Sequence, residues 1–227
     1  MEVQAKQIEG VALGRDALAQ HLAAGVRHFV QCDFDEAELS RLDLQDCVFE
    51  RCTFNESVLY ASKLARSMWQ RCRAMAADFE SADLVDAQFS GCDLNNSKWR
   101  RTKLASASFR SCKLTGAQFE EVAHLGASFE ECLLVGADLR GFSFRKAELR
   151  RLDFSDADLS GCDFRDAVFH ECSLREAVLK QARFEGADLR GADLGGLKLT
   201  EVRAFKGAVI SYSQAAAILA EMGLVVA

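Results

Sequence analysis

The sequence predicts an all-β solenoid, a chain wound about one axis with four short faces to each coil. Three observations predict it. From Phe34 to Leu199 every fifth residue is Leu or Phe at 30 of 34 positions, the exceptions being Trp69, Ala74, Trp99 and His124. Two residues earlier in each five, 28 of 34 positions are Ala, Cys or Ser. Six cysteines (Cys32, Cys52, Cys72, Cys92, Cys112 and Cys132) stand twenty residues apart, and Cys172 continues the series.

A strict five-residue period matches neither a helix nor an alternating strand. In extended backbone, residues two apart share a side, so the small lane and the Leu/Phe lane both point inward. The remaining three residues of a unit such as Ala157-Asp158-Leu159-Ser160-Gly161 make an outward position and a corner. One unit is one face, and the twenty-residue cysteine ladder makes four faces one coil. A second column, Phe29, Phe49, Trp69, Phe89, Phe109, Phe129, Leu149 and Phe169, has the same spacing. Units such as Ala187-Asp188-Leu189-Arg190-Gly191 closely resemble those of pentapeptide-repeat proteins. That resemblance covers about three quarters of the chain and implies a right-handed quadrilateral β-helix.

Taken in order, residues 1–27 lack the register, and a short helix over residues 16–24 is expected to cap the first coil. Residues 28–204 form the repeat, roughly nine coils, about 40 Å long at a strand spacing of about 4.8 Å. Within it, the unit Cys72-Arg73-Ala74-Met75-Ala76 reads as a kink or bulge, and Val122-Ala123-His124-Leu125-Gly126 as a bend or slip with His124 turned inward and hydrogen-bonded. Residues 205–227 form a C-terminal cap and dimerisation segment. There Ser211-Tyr212-Ser213-Gln214 is a capping box opening a helix that Gly223 stops.

Composition narrows the function classes. The absence of proline suits an array whose backbone donors bond the next coil. All nine cysteines lie in the small lane, where a reduced thiol serves as a compact apolar side chain; no C-x-x-C pair or Cys/His spacing points to a disulfide framework or a metal. No apolar run reaches membrane-span length and no basic-then-apolar leader opens the chain, so a cytoplasmic protein without membrane partners is expected. No phosphate-cradling glycine loop or nucleophile–base arrangement is present, so no catalytic residue, cofactor or small-molecule substrate is expected. No outward basic stripe predicts direct nucleic-acid binding.

The C-terminal segment Gly207-Ala208-Val209-Ile210, Gln214-Ala215, Leu219 and Met222-Gly223-Leu224-Val225-Val226 resembles the end of the Qnr quinolone-resistance proteins and their relative MfpA. The resemblance implies a head-to-head homodimer, here through Tyr212, Ala215, Ile218, Leu219, Met222, Leu224, Val225 and Val226. It also implies DNA gyrase or topoisomerase IV as partner, duplex-DNA mimicry, and protection against a topoisomerase poison such as a quinolone or an albicidin-like toxin. An end-to-end dimer about 80 Å long matches some two dozen base pairs. The unbroken register leaves no room for a loop whose length is not a multiple of five, which places the chain nearer the loopless relatives and favours gyrase binding over drug protection. A general protein-interaction scaffold with an unrelated partner is the alternative.

Net charge is −6, and one stretch holds all of it. Asp33, Asp35, Glu36, Glu38, Asp43, Asp46 and Glu50 face a single base, Arg41, whereas the rest of the chain has 27 acids and 27 bases. This acidic first coil is the candidate partner-binding surface, suited to steering a basic protein. Eleven Asp residues immediately precede a central Leu or Phe, where a carboxylate bonds the corner backbone. The doublets Arg100-Arg101 with Glu120-Glu121, and Glu130-Glu131 with Arg150-Arg151, predict ion pairs one coil apart.

Overall fold

The computed structural model describes residues 6–197, 203–221 and 223–225. The chain folds as two compact units, Met1–Ser128 and Phe129–Ala227. In both, the two lanes point inward and each coil lies against the next with parallel register.

The first unit opens with strand β1 (Gln7–Glu9) and helix α1 (Arg15–Ala23). Strands β2 (His28–Val30), β3 (Val48–Glu50), β4 (Met68–Gln70), β5 (Gln88–Ser90) and β6 (Ser108–Arg110) then stack as one face. They pair at twenty-residue intervals, Phe29 with Phe49, Phe49 with Trp69, Trp69 with Phe89 and Phe89 with Phe109. The other three faces are joined by single bridges at the same interval, as in Asp33–Thr53–Arg73, Glu38–Val58–Asp78 and Asp43–Lys63–Asp83. β1 pairs with β2 at an interval of one residue more, Ile8 opposite Phe29. The inward lane therefore begins before the stretch that the repeat count identifies, and α1 follows this partial coil. Leu18 on α1 is fully buried.

β7 (Ser128–Glu130) marks the junction along the chain. The second unit contains β8 (Glu148–Arg150) paired with β9 (Val168–His170), and β10 (Cys172–Ser173) paired with β11 (Ala192–Asp193). Near its end the interval again lengthens by one: Asp188 bridges Val209, and Phe205 stacks on Phe184 at 4.5 Å. Helix α2 (Tyr212–Glu221) follows. At the last coil a Cβ on Gly191 would overlap the Phe169 carbonyl oxygen, so close backbone approach requires glycine there.

The corners explain the polar pattern. Apart from Gly191, the second residue after a central Leu or Phe adopts a positive φ among the described residues, near +55° at Glu36, Arg41, Asp46 and most of the non-glycine successors. A left-handed non-glycine residue costs about 1–2 kcal/mol, and a repeated local bond offsets it. All eleven Asp residues before a central Leu or Phe accept from the backbone N–H two residues on, Asp33 from Asp35 at 2.9 Å and Asp193 from Gly195 at 2.9 Å among them. The small lane bonds as well as packs. Cys52 donates through Sγ to the Phe29 carbonyl at 3.4 Å, as Ser62 does to Leu39 at 2.8 Å and Thr102 to Phe79 at 2.8 Å. All nine cysteines are buried, and burial pushes the thiols of Cys47 and Cys162 up to about 12.

Two expectations are corrected. The unit at Ala74 is neither kinked nor bulged: Phe54 N–H donates to Arg73 at 2.6 Å and Ala74 N–H to Asp93 at 2.7 Å, as in every regular unit. The unit at His124 keeps its register too, with Leu104 N–H donating to Ala123 at 2.8 Å and Ser106 N–H to Leu125 at 2.9 Å. Backbone bonding sets the coil path, so an atypical lane residue alters only the packing. His124 is half-buried, its Nδ1 3.2 Å from the Val122 carbonyl, and Leu125 is 86% exposed.

Both tryptophans are fully buried, and each indole N–H donates to the serine two residues before it, Trp69 to Ser67 at 2.9 Å and Trp99 to Ser97 at 2.7 Å. Ser67→Ala and Ser97→Ala strand a buried donor and are each expected to cost about 1–3 kcal/mol. Ser57→Ala is the control, because the Phe54 carbonyl keeps its bond from the Ser57 N–H. Urea unfolding of the three variants should show the first two below the third.

Candidate functional site

The acidic residues of the first coil do not gather into one patch. Asp33, Asp35 and Glu36 share one face and its corner, Glu38 stands on the next face, Asp43 and Asp46 on the one after, and Glu50 at the end of β3. Five-residue units advance one face at a time, so eighteen residues nearly encircle the coil and the acids form a collar. Six of the seven also have local partners. Asp33 accepts from Thr53 Oγ1 at 3.0 Å, and Asp35 from the Asn55 backbone N–H at 2.7 Å and its side-chain Nδ2 at 3.1 Å. Glu38 accepts from the Ser40 N–H at 2.9 Å; bonds from Ser40, with Arg15 nearby, hold its carboxyl below the usual range. Arg66 grips Asp46 with two bonds of 2.7 Å and lowers its pKa. Lys63 lies 4.0 Å from Asp43, and Glu50 meets His28 at 2.9 Å. Of these seven, Glu36 is exposed and has no such partner among the described residues.

Opposite charges one coil apart pair as the sequence predicts for Arg100 with Glu120, at 3.9 Å, and for Arg151 with Glu131. Arg101 instead reaches Glu80, and Arg150 reaches Glu148 within its own strand at 3.2 Å. In the second unit Asp163 is held to about 2 by Arg165, bonded at 2.7 Å, with Arg183 at 2.9 Å. Such pairs position side chains and contribute little stability singly.

The C-terminal end is the other candidate. The capping box forms as expected: Gln214 N–H donates to Ser211 Oγ at 3.2 Å, and Ser211 N–H to Gln214 Oε1 at 2.7 Å. Gln214 has a second task that sequence pattern does not reveal. Its Nε2 donates to the carbonyls of Leu189 at 2.7 Å and Ala192 at 2.6 Å, tying α2 to the last coil. At the far end Glu221 accepts from Gly196 N–H at 3.1 Å. Gly223, at φ +79°, closes the helix: its N–H bonds Ala220 and that of Leu224 bonds Leu219.

No residue of α2 is buried. Between helix and coil lies an apolar groove of about 830 Å³, lined by Leu194, Phe205, Ile210, Ala215, Ile218 and Leu219 among others. Of the residues expected to dimerise, Ala215, Ile218 and Leu219 line this groove; Tyr212 is 98% exposed, Leu224 55% and Val225 94%. Met222 and Val226 lie outside the described residues. Ile210 belongs to the segment that the resemblance picks out; Leu194 and Phe205 were not singled out from the sequence, Leu194 because it continues the inward lane and reads as core, Phe205 because it falls one residue out of the five-residue count. Among the described residues no group of three His, Cys, Asp or Glu is placed to hold a metal, and no helix is long and apolar enough to cross a membrane.

Comparison with known proteins agrees with this architecture. The family model of the pentapeptide repeat region matches residues 27–99, 44–119, 102–178 and 127–214. No curated protein sequence matches the chain. Among solved structures, full-length QnrB1, a plasmid-mediated fluoroquinolone resistance protein, is similar at 18% identity and a TM-score of 0.59, over 96% of this chain and 100% of that one. A trypsin-treated variant of QnrB1 is similar at 20% identity and a TM-score of 0.58, over 98% of each chain. HetL, involved in heterocyst differentiation regulation in the cyanobacterium Nostoc sp. strain PCC 7120, aligns at 22% identity and a TM-score of 0.42, over 84% of this chain and 87% of its own. With the family model spanning most of the repeat and the lanes, corners and parallel coils in place, the chain belongs to the pentapeptide-repeat family.

Proposed function

We propose that this protein is a non-enzymatic, cytoplasmic modulator of DNA gyrase, with topoisomerase IV as a second target, acting as a homodimeric mimic of duplex DNA. The observation that carries the reading is the open apolar groove beside α2, at the end of a chain whose similarity to a fluoroquinolone resistance protein extends over 98% of both lengths. A large apolar surface left open on a monomer marks an interaction site. The acidic collar supplies negative charge to steer a basic, DNA-binding surface toward the coil. Protection against a quinolone or an albicidin-like toxin is the further step of this reading, and inhibition of supercoiling its first expression.

One observation favours a general scaffold instead. The eleven corner aspartates and six of the seven collar acids are engaged in local bonds, so much of the acid content serves the fold. The two readings separate in one experiment. Purified protein is expected to retain gyrase in a pull-down and to inhibit ATP-dependent supercoiling in a dose-dependent way. A variant with Asp33, Asp35 and Glu36 changed to Asn, Asn and Gln is expected to need at least a fivefold higher dose. Failure to bind either topoisomerase would leave the scaffold reading.

A further inference from the structure

Stacked cations in this chain are matched by acids. Arg145 and Arg165 stand one coil apart, and each meets a carboxylate, Asp166 at 4.0 Å and Asp163 at 2.7 Å. At the corner after Asp43 and its successors the sign alternates, Asp46, Arg66 and Asp86 following one another at twenty residues. Arg51 and Arg71 break this pattern. They occupy the same corner position after β3 and β4, about 4.8 Å apart along the stack, and like charges directly opposite destabilise a sheet. Among the described residues neither has an acid within ion-pair distance, and neither side chain makes a hydrogen bond. Arg73, two residues on, is equally free and exposed.

The corner is also concave. Arg51 and Arg71, with Glu50, Gln70 and Ser90, line a notch of about 280 Å³. The Glu50 carboxylate is committed to His28 at 2.9 Å. The groups left facing the notch are two guanidinium forks, a carboxamide and a hydroxyl, which together can donate to several oxygens of one ligand. Guanidinium binds planar oxyanion edges with paired bonds. A carboxylate neutralises one of the two stacked charges, whereas a phosphoryl dianion neutralises both. We infer that the Arg51–Arg71 notch is a binding site for the phosphoryl group of a small molecule, either the free ion or a phosphate monoester.

The site is independent of the gyrase reading and is tested without a topoisomerase. The full-length protein is titrated calorimetrically at constant ionic strength with inorganic phosphate, with a nucleoside monophosphate, with acetate and with a short DNA duplex. Saturable binding is expected for the first two and none for acetate; binding of inorganic phosphate alone assigns the free ion, and tighter binding of the monophosphate assigns an ester. Arg51→Gln and Arg71→Gln are each expected to weaken binding at least tenfold. Arg41→Gln, which removes another free arginine at a different corner, is expected to leave it unchanged. Without phosphate, Arg51→Gln is expected to melt no lower than the parent, because it relieves a repulsion, and to lose the phosphate-induced rise in melting temperature. The inference is overturned if Arg41→Gln weakens binding as much, if Arg51→Gln lowers the phosphate-free melting temperature, or if only a short DNA duplex binds in an Arg51- and Arg71-dependent way.

Discussion

Replacing Trp69 by alanine is expected to destabilise the first unit by about 3–5 kcal/mol, the range for emptying a large aromatic site in a close-packed core. The reason lies in how the rings are distributed. Phe34 and Phe54 stack on one face at 4.5 Å, and that column stops at Ala74. On the following face the aromatic column starts at Phe79, which stacks on Trp99 at 4.3 Å. Trp69 spans the change-over: its ring lies 4.6 Å from Phe54 and 5.9 Å from Phe79, stands tilted at 4.6 Å from Phe49 and stacks on Phe89 at 5.4 Å. Ala74 is small because the indole occupies the adjoining space. Ala74→Phe alone is then expected to overpack the coil and cost about 1–3 kcal/mol. Combined with Trp69→Leu it should cost less than the sum of the two single changes, with a coupling of about 0.5–3 kcal/mol. Urea unfolding followed through Trp99, which remains in every variant, measures all four corners of the cycle. Strict additivity would sink the compensation argument.

This pair shows where reading the chain lane by lane reaches its end. The inward lanes, the twenty-residue coil and the use of aspartate at corners are all legible, because each repeats at a fixed interval and physical chemistry assigns it one environment. Ala74 was expected to disturb the backbone because a lane considered singly has no substitute for its missing ring. The substitute comes from the neighbouring face, five residues earlier. The acidic stretch is a similar case. Its composition is plain in the sequence, yet residues ten apart, such as Asp33 and Asp43, fall on opposite faces of a four-sided coil, so density along the chain becomes a collar. At the C-terminus, the capping box follows from local chemistry alone. That Gln214 also reaches the carbonyls of Leu189 and Ala192 depends on where the helix docks, which local pattern does not encode. The one-residue lengthening of the interval, at Ile8 opposite Phe29 and at Asp188 opposite Val209, is hidden for the same reason: only pairing reveals it.

On the proposed dimer, changing Ile218 and Leu219 together to aspartate is expected to raise the dissociation constant at least a hundredfold while leaving the last coil folded. The helix is held to its coil by polar clamps at both ends, Gln214 on Leu189 and Ala192 and Glu221 on Gly196, and it buries none of its own residues. Its apolar side chains therefore contribute little to docking within the chain and remain available to a second copy. In a two-fold interface the same groove meets itself, so each substitution places a charge twice in a desolvated seam. Gln214→Ala is the complementary change. It leaves the groove apolar and the Glu221 clamp in place but removes both Gln214 Nε2 bonds to the coil, each worth about 0.5–1.5 kcal/mol, and should loosen the last coil before it affects assembly. Analytical ultracentrifugation and thermal melting of the two variants, alongside a chain truncated after Lys206, separate the roles. An interface predicts monomers from the aspartate variant and the truncation, with the aspartate variant melting near the parent's dissociated form. A cap that serves only its own coil predicts an unchanged association state in all three and a lowered melting temperature wherever the helix is weakened or removed.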